Sequence, residues 1–250
     1  MKAVERAHPV VLACDTSTTV GSVALVEGDR VTAELVLQSP GSTSRRLVGD
    51  IRDLLAARGL APSDLDLLVA STGPGSFTGV RITLAAMKGL AFALDKPLVG
   101  VPSLDALARP LLGRGAAILA ALDARRSEVY AAGYAPDGAP DGAPVVAPAA
   151  LSPQAAAEAL RDACPDLPIL GVGEGILAYR DVLVGILGDR LQIVAAPEHS
   201  IRASVLVQIA LERHLAPTDV AAIEPQYLRR SEAEVKKTLA DAERLQAGPA

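Results

Sequence analysis

The sequence predicts an α/β protein built from two related halves. Three observations carry this. Short apolar runs alternate with helical spacings through the first hundred residues. Ile118–Asp123 (ILAALD) echoes Val10–Asp15 (VVLACD), an apolar strand ending in aspartate. Half the residues are hydrophobic, yet the apolar runs are short and broken by turn residues, as in a well-buried globular chain.

The elements of the first half follow in order. Val10–Cys14 is apolar throughout and suits a buried central strand. Val20–Val26 and Val31–Leu37 follow, joined by the turn chemistry of Glu27-Gly28-Asp29-Arg30. Pro40-Gly41 breaks the pattern. A helix then starts near Ser42 or Thr43, places Leu47, Val48, Ile51, Leu54 and Leu55 at helical spacing, and stops at Gly59. Leu67–Ala70 is a further strand, Gly73-Pro74-Gly75 a tight turn, and Ser76–Leu94 a second helix. Leu98–Val101 is the fifth strand, and Ser103 caps a short helix.

The second half opens the same way, with Ile118–Asp123 leading into Glu128–Tyr134. Residues 136–148, rich in proline, glycine and aspartate, read as a surface loop. Helical patterns at Pro153–Ala163 and Ser200–His214 flank a strand at Pro168–Val172. The boundary falls near Gly113–Gly115, which divides the chain into 1–113, 114–230 and a charged, loosely held tail, 231–250.

A net charge of −5 argues against a broad surface for phosphate backbones. The dense cationic pairs Arg45-Arg46, Arg125-Arg126 and Arg229-Arg230 read as solvated surface. Cys14 and Cys164 match no zinc or redox spacing. Residues 1–8 are charged and lack a secretory h-region, and no apolar run reaches the roughly 18 residues of a membrane span. A reduced, cytoplasmic protein without membrane attachment is expected.

Two stretches invite chemistry. Asp15-Thr16-Ser17-Thr18-Thr19 sets a carboxylate and hydroxyls beyond a buried strand, where a turn can face phosphate or magnesium. The plainer reading is an Asx turn in which Asp15 bonds its own backbone. Ser71–Arg81 (STGPGSFTGVR) lies between strand and helix, where a helix N-terminus can receive an anion. It lacks the Gly-Lys-Ser/Thr of a P-loop, the dinucleotide fingerprint and the nucleophile elbow.

The helix this stretch opens is apolar nearly all round. Phe77, Val80, Leu84, Met87 and Ala91 form one stripe, and Arg81, Thr83 and Lys88 are its few polar interruptions. Such a helix is buried on more than one side, by its own chain or by a second protein. Gly79, Thr83 and Ala86 are small enough for close helix approach. Asp123–Tyr130 carries acids and bases that read as strand-end ion pairs, and Gly171–Gly175 is a glycine-rich loop of low specificity.

Taken together these motifs resemble the TsaB family, also called YeaZ, of bacterial threonylcarbamoyladenosine synthesis in tRNA. The resemblance rests on LACDTST at 12–18, GPGSFTGVRI at 73–82, KGLA at 88–91, VPSLDALA at 101–108, DAR at 123–125 with EVY at 128–130, and YLR at 227–229. It implies a duplicated actin-like, ribonuclease H-like α/β fold that has lost independent catalysis. It implies a scaffold that binds a TsaD-like catalytic subunit through its N-terminal helices, with a TsaE-like ATPase joining and tRNA reached through the complex. No metal and no cofactor is expected on this chain alone, and the His-x-x-x-His of the catalytic relative is absent. ATP or ADP has a place only in the assembled complex.

On this reading Leu47, Val48, Ile51, Leu54, Phe77, Val80, Arg81, Leu84, Met87 and Lys88 form the partner surface, which also offers a two-fold homodimer interface. Asp15, Thr16, Ser17, Gly73 and Gly75 are a vestigial phosphate loop. Thr43-Ser44 departs from the His-Ser that many members carry there. The alternatives are an actin-like kinase, with Asp15 on magnesium and Gly73–Gly75 near phosphate, and a peptidase using Ser76 or Cys14.

Overall fold

A computed structural model describes residues 8–38, 43–138, 143–216 and 219–229. The tail expected at 231–250 and the Ser42 cap lie outside these residues. The first half runs β1 (Val10–Asp15), β2 (Val20–Glu27), β3 (Arg30–Gln38), α1 (Thr43–Ala57), β4 (Leu67–Ser71), α2 (Phe77–Leu94), β5 (Leu98–Val101) and α3 (Ser103–Ala108). The second runs β6 (Ala117–Arg125), β7 (Glu128–Tyr134), β8 (Val146–Leu151), α4 (Pro153–Ala163), β9 (Ile169–Val172), α5 (Glu174–Ala178), α6 (Arg180–Leu187), β10 (Leu191–Ile193) and α7 (Ala203–Glu212).

The sheet orders are β3-β2-β1-β4-β5 and β10-β9-β6-β7-β8, the same topology written in opposite directions. In each, the first strand pairs antiparallel with the second and parallel with the fourth. This is the duplicated actin-like arrangement. β1 and β6 are central in their sheets, so both of their faces must be covered, and their sequences are apolar without alternation.

Five layers result. Even-numbered β1 residues (Val10, Leu12, Cys14) pack under α1 and α2, while Val11 and Ala13 face a central layer. That layer, with Leu104 and Leu107 of α3 and Leu206 and Ile209 of α7, lies between the sheets. Ala117, Leu119 and Ala121 of β6 face α4, α5 and α6 on the far side.

By length and composition α2 could cross a membrane. Here Gly79, Val80, Thr83, Leu84, Met87 and Ala91 bury one side of it on the first sheet.

The second half differs from the sequence reading in three places. β8 begins inside the stretch read as a loop. It is an edge strand, where Pro148 is tolerated because no outer ladder needs its missing N–H. β10 has only three residues, and α5 and α6 are short, so none shows a clear period. The last helix covers 203–212 rather than the full 200–214.

Candidate functional site

The β1–β2 turn and the start of α2 meet where the sequence placed a phosphate loop. Asp15, Thr16, Ser17 and Gly75 do converge, but as a closed junction, whereas Gly73 packs against Val80 and its carbonyl accepts the Ser103 N–H. The Ser76 N–H donates to the Ser17 carbonyl at 2.7 Å. The Gly79 N–H turns to the Ser76 hydroxyl, which caps the helix. The Thr16 hydroxyl donates to the Gly79 carbonyl at 2.7 Å and lies 2.7 Å from the Thr83 hydroxyl. With its one proton committed to that carbonyl, Thr16 accepts from Thr83. A Cβ on Gly75 would overlap the Ser17 carbonyl, and one on Gly79 would overlap that of Thr16. At the helix start the Ser76 and Gly79 N–H groups are thus taken by the chain's own oxygens, the Ser17 carbonyl and the Ser76 hydroxyl. Gly79 and Thr83 serve this internal approach rather than the approach of a partner helix.

Asp15 is fully buried. Its Oδ1 accepts the Ser17 N–H at 3.2 Å and the Ser71 hydroxyl, which realises the Asx turn. Oδ2 has no hydrogen-bond partner among the described residues. Burial pushes its carboxyl above the ordinary range, against the pull of the Ser17 and Ser71 bonds, so the site favours the neutral acid. Cys14 is buried and its thiol is pushed up by that burial, which removes it as a nucleophile. His199 is held by the Gly173 N–H and the Val194 carbonyl, both at 3.0 Å and both in the second half.

The second half repeats the junction. A Cβ on Gly173 would overlap the Ala121 carbonyl, so α5 presses on β6 as α2 presses on β1. At the end of β6, Asp123 accepts the Arg125 N–H at 2.8 Å and pairs with its guanidinium at 3.2 Å, a strand-end ion pair. Across the meeting of the halves the Thr19 hydroxyl donates to Glu174 at 3.2 Å. Burial raises the Glu174 carboxyl, with a further contribution from the charge of Asp123.

The residues predicted as a partner surface divide into two sets. Leu47, Ile51, Val80, Leu84 and Met87 are buried in the chain's own core, because the stripe they form rests on the sheet. They cannot be touched by a partner, and a charge at Leu84 would strike the fold first. Val48, Phe77 and Arg81 are exposed, while Leu54 and Lys88 are partly so.

The free side of α2 is displayed by Thr78, Ala85, Gly89, Phe92 and Ala93, with Ile82 half-buried beside them. Phe92 is 88% exposed. Among the described residues nothing stands where a Cβ on Gly89, or on Gly49 of α1, would sit. The sequence reading missed Phe92, although its signal was there: a large apolar residue out of phase with the buried stripe. It also left Tyr227 without a role. Tyr227 stacks on Phe77 at 5.5 Å and accepts the Arg81 Nε–H at 2.8 Å.

A family model described as tRNA N6-adenosine threonylcarbamoyltransferase, TsaD, matches residues 42–237. The tRNA threonylcarbamoyladenosine biosynthesis protein TsaB of Bacillus subtilis is 33% identical over 226 residues, 90% of this chain and 96% of that protein. TsaB of Escherichia coli is 34% identical over 165 residues, 65% of this chain and 71% of its own length. YeaZ from Pseudomonas aeruginosa superposes with a TM-score of 0.71 at 33% identity, covering 88% of this chain and all of that one. Matched along nearly its whole length in sequence and in structure, the chain belongs to the TsaB, or YeaZ, family.

Proposed function

We propose that this chain is a cytoplasmic, non-catalytic subunit in the synthesis of threonylcarbamoyladenosine next to the tRNA anticodon. It presents the outer face of α1 and α2 to a TsaD-like catalytic protein, and a TsaE-like ATPase joins the pair. The observation that carries this reading is the free side of α2. From Thr78 to Ala93 it is small or apolar, with Phe92 standing out from it and Arg81 at its edge. A soluble helix rarely leaves such a side uncovered.

Val48, Leu54, Phe77, Arg81, Lys88 and Phe92 are its contact residues. Two helices from a partner laid against α1 and α2 would complete a four-helix packing. The names of the relatives supply the pathway, and the closed Asp15–Gly79 junction speaks for a scaffold rather than a kinase. A second copy can use the same face, since a two-fold interface is self-complementary.

The experiment is reconstitution with the TsaD-like protein of the same organism and unmodified tRNA. Threonylcarbamoylation that requires both proteins supports the scaffold. ATP turnover by this chain alone, with no association, would replace it with the kinase reading.

A further inference from the structure

Residues 219–229 leave the second half and return to the first. Ile223 is buried in the core beneath α2. The Ala221 carbonyl accepts the Lys88 ammonium at 3.2 Å, and the Gln226 N–H donates to the Thr72 carbonyl at 2.7 Å. Tyr227 then closes on the exposed end of α2, where the Arg81 guanidinium lies 3.8 Å from the Phe77 ring centroid. Phe77 and Tyr227 keep 44% and 43% of their surface in solvent, so the cluster is open to a visitor.

Two residues later the segment crosses back. Arg229 donates to the Ala124 carbonyl at 3.0 Å and pairs with Glu128, one contact on each strand of the β6–β7 hairpin. The tip of that hairpin holds three successive non-glycine residues at positive φ, Arg125 (61°), Arg126 (57°) and Ser127 (60°). L-residues resist this conformation, and a run of three persists only where surrounding contacts hold it. Arg229 supplies such contacts. The hairpin base is Asp123, next to Glu174 and its inter-half bond from Thr19.

We propose that residues 219–229 are a strap coupling the exposed end of α2 to the β6–β7 hairpin, so that a partner engaging Phe77 and Arg81 changes the order of the hairpin where the halves meet. Tyr227 and Arg229 are two residues apart and so at most about 7 Å apart along the chain. So short a link leaves little chain to absorb a movement of one before it reaches the other. The partner's role here rests on the proposed function above, whereas the link within the chain does not.

The test is amide hydrogen exchange on the full chain, with and without the TsaD-like protein. Tyr227→Ala should speed exchange of the amides of 124–129 about 5-fold while α4 in the same half is unchanged. Arg229→Gln should do the same without altering 77–81. If Tyr227→Ala does not fold, Tyr227→Phe keeps the ring but removes the acceptor for Arg81, with about a 2-fold effect expected. Unchanged hairpin exchange in the folded variants overturns the strap. A TsaD-like protein that binds yet leaves the hairpin unaltered overturns the coupling and spares the partner reading. Failure to bind sinks the partner reading and leaves the link within the chain to be decided by Tyr227→Ala.

Discussion

The Thr16 hydroxyl is hydrogen-bonded to the carbonyl of Gly79, 63 positions away, at a point where a single methyl group would not fit. This contact fastens the end of the central strand to the first turn of α2. The first turn is also closed from within, since the Gly79 N–H is taken by the Ser76 hydroxyl and the Ser76 N–H by the Ser17 carbonyl. Gly79→Ala should therefore destabilise the fold by about 2–3 kcal/mol or more, since backbone rather than a side-chain tip must move. A urea titration reads this as a lower midpoint with an unchanged slope.

Gly89 makes the contrasting case. Nothing among the described residues stands within 4 Å of a Cβ there, and glycine within a helix costs roughly 1 kcal/mol relative to alanine. Gly89→Ala should raise the stability of the isolated chain by up to about that amount. The same methyl group should weaken association with a partner helix packed closely on that face. Thermal unfolding and a binding titration on one variant separate the two effects.

Asp15 gives a dependence on pH whose sign can be worked out. Its carboxyl is raised in the folded chain from an ordinary value of 3.8, so above that pH the folded state holds the proton more tightly than the unfolded state. Stability from this group is full at low pH. It declines as pH rises from about 4 through the raised value, then stays lost. Asn at this position keeps the shape and cannot ionise. The stability of Asp15→Asn relative to wild type should grow from pH 4 towards pH 8, as denaturation midpoints across that range would show.

The layer between the sheets depends on Asp105, which accepts the Tyr134 hydroxyl at 2.6 Å and the Arg213 guanidinium at 2.5 Å. Burial, then the charge of Asp105, pushes the Tyr134 phenol well up, so it remains a donor. Tyr134→Phe removes one bond and should cost about 1–2 kcal/mol. Asp105→Ala removes the acceptor of the Tyr134 phenol and one partner of the Arg213 guanidinium, and should cost more than Tyr134→Phe, about 2–3 kcal/mol.

How much of this was legible beforehand depended on where each residue sits. β1 and β6 were readable because a strand covered on both faces shows an unbroken apolar run, as VVLACD and ILAALD do. β8, with its proline, and three-residue β10 lie at sheet edges, where that requirement is relaxed. In α2 the periodicity showed that two sides needed cover but not which side met the sheet. The stripe Val80-Leu84-Met87 was therefore assigned outward although it is the core. The closure of the Asp15–Gly79 junction was not readable from motifs, because Gly75 and Gly79 have the same letters whether they admit a phosphate or a carbonyl oxygen. The contact of Tyr227 with Phe77 and Arg81 joins distant positions and needed the fold.

The partner face is best examined by a binding titration of the TsaD-like protein against wild type, Phe92→Asp and Leu84→Glu, each first checked for folding. Phe92 is almost wholly exposed, so Phe92→Asp should hold the stability of the chain within about 0.5 kcal/mol. Its affinity for the TsaD-like protein should fall at least about tenfold, in the manner of a central apolar anchor. Leu84→Glu should unfold the chain. A folded Phe92→Asp that binds the TsaD-like protein as tightly as wild type would contradict the placement of the partner on this face.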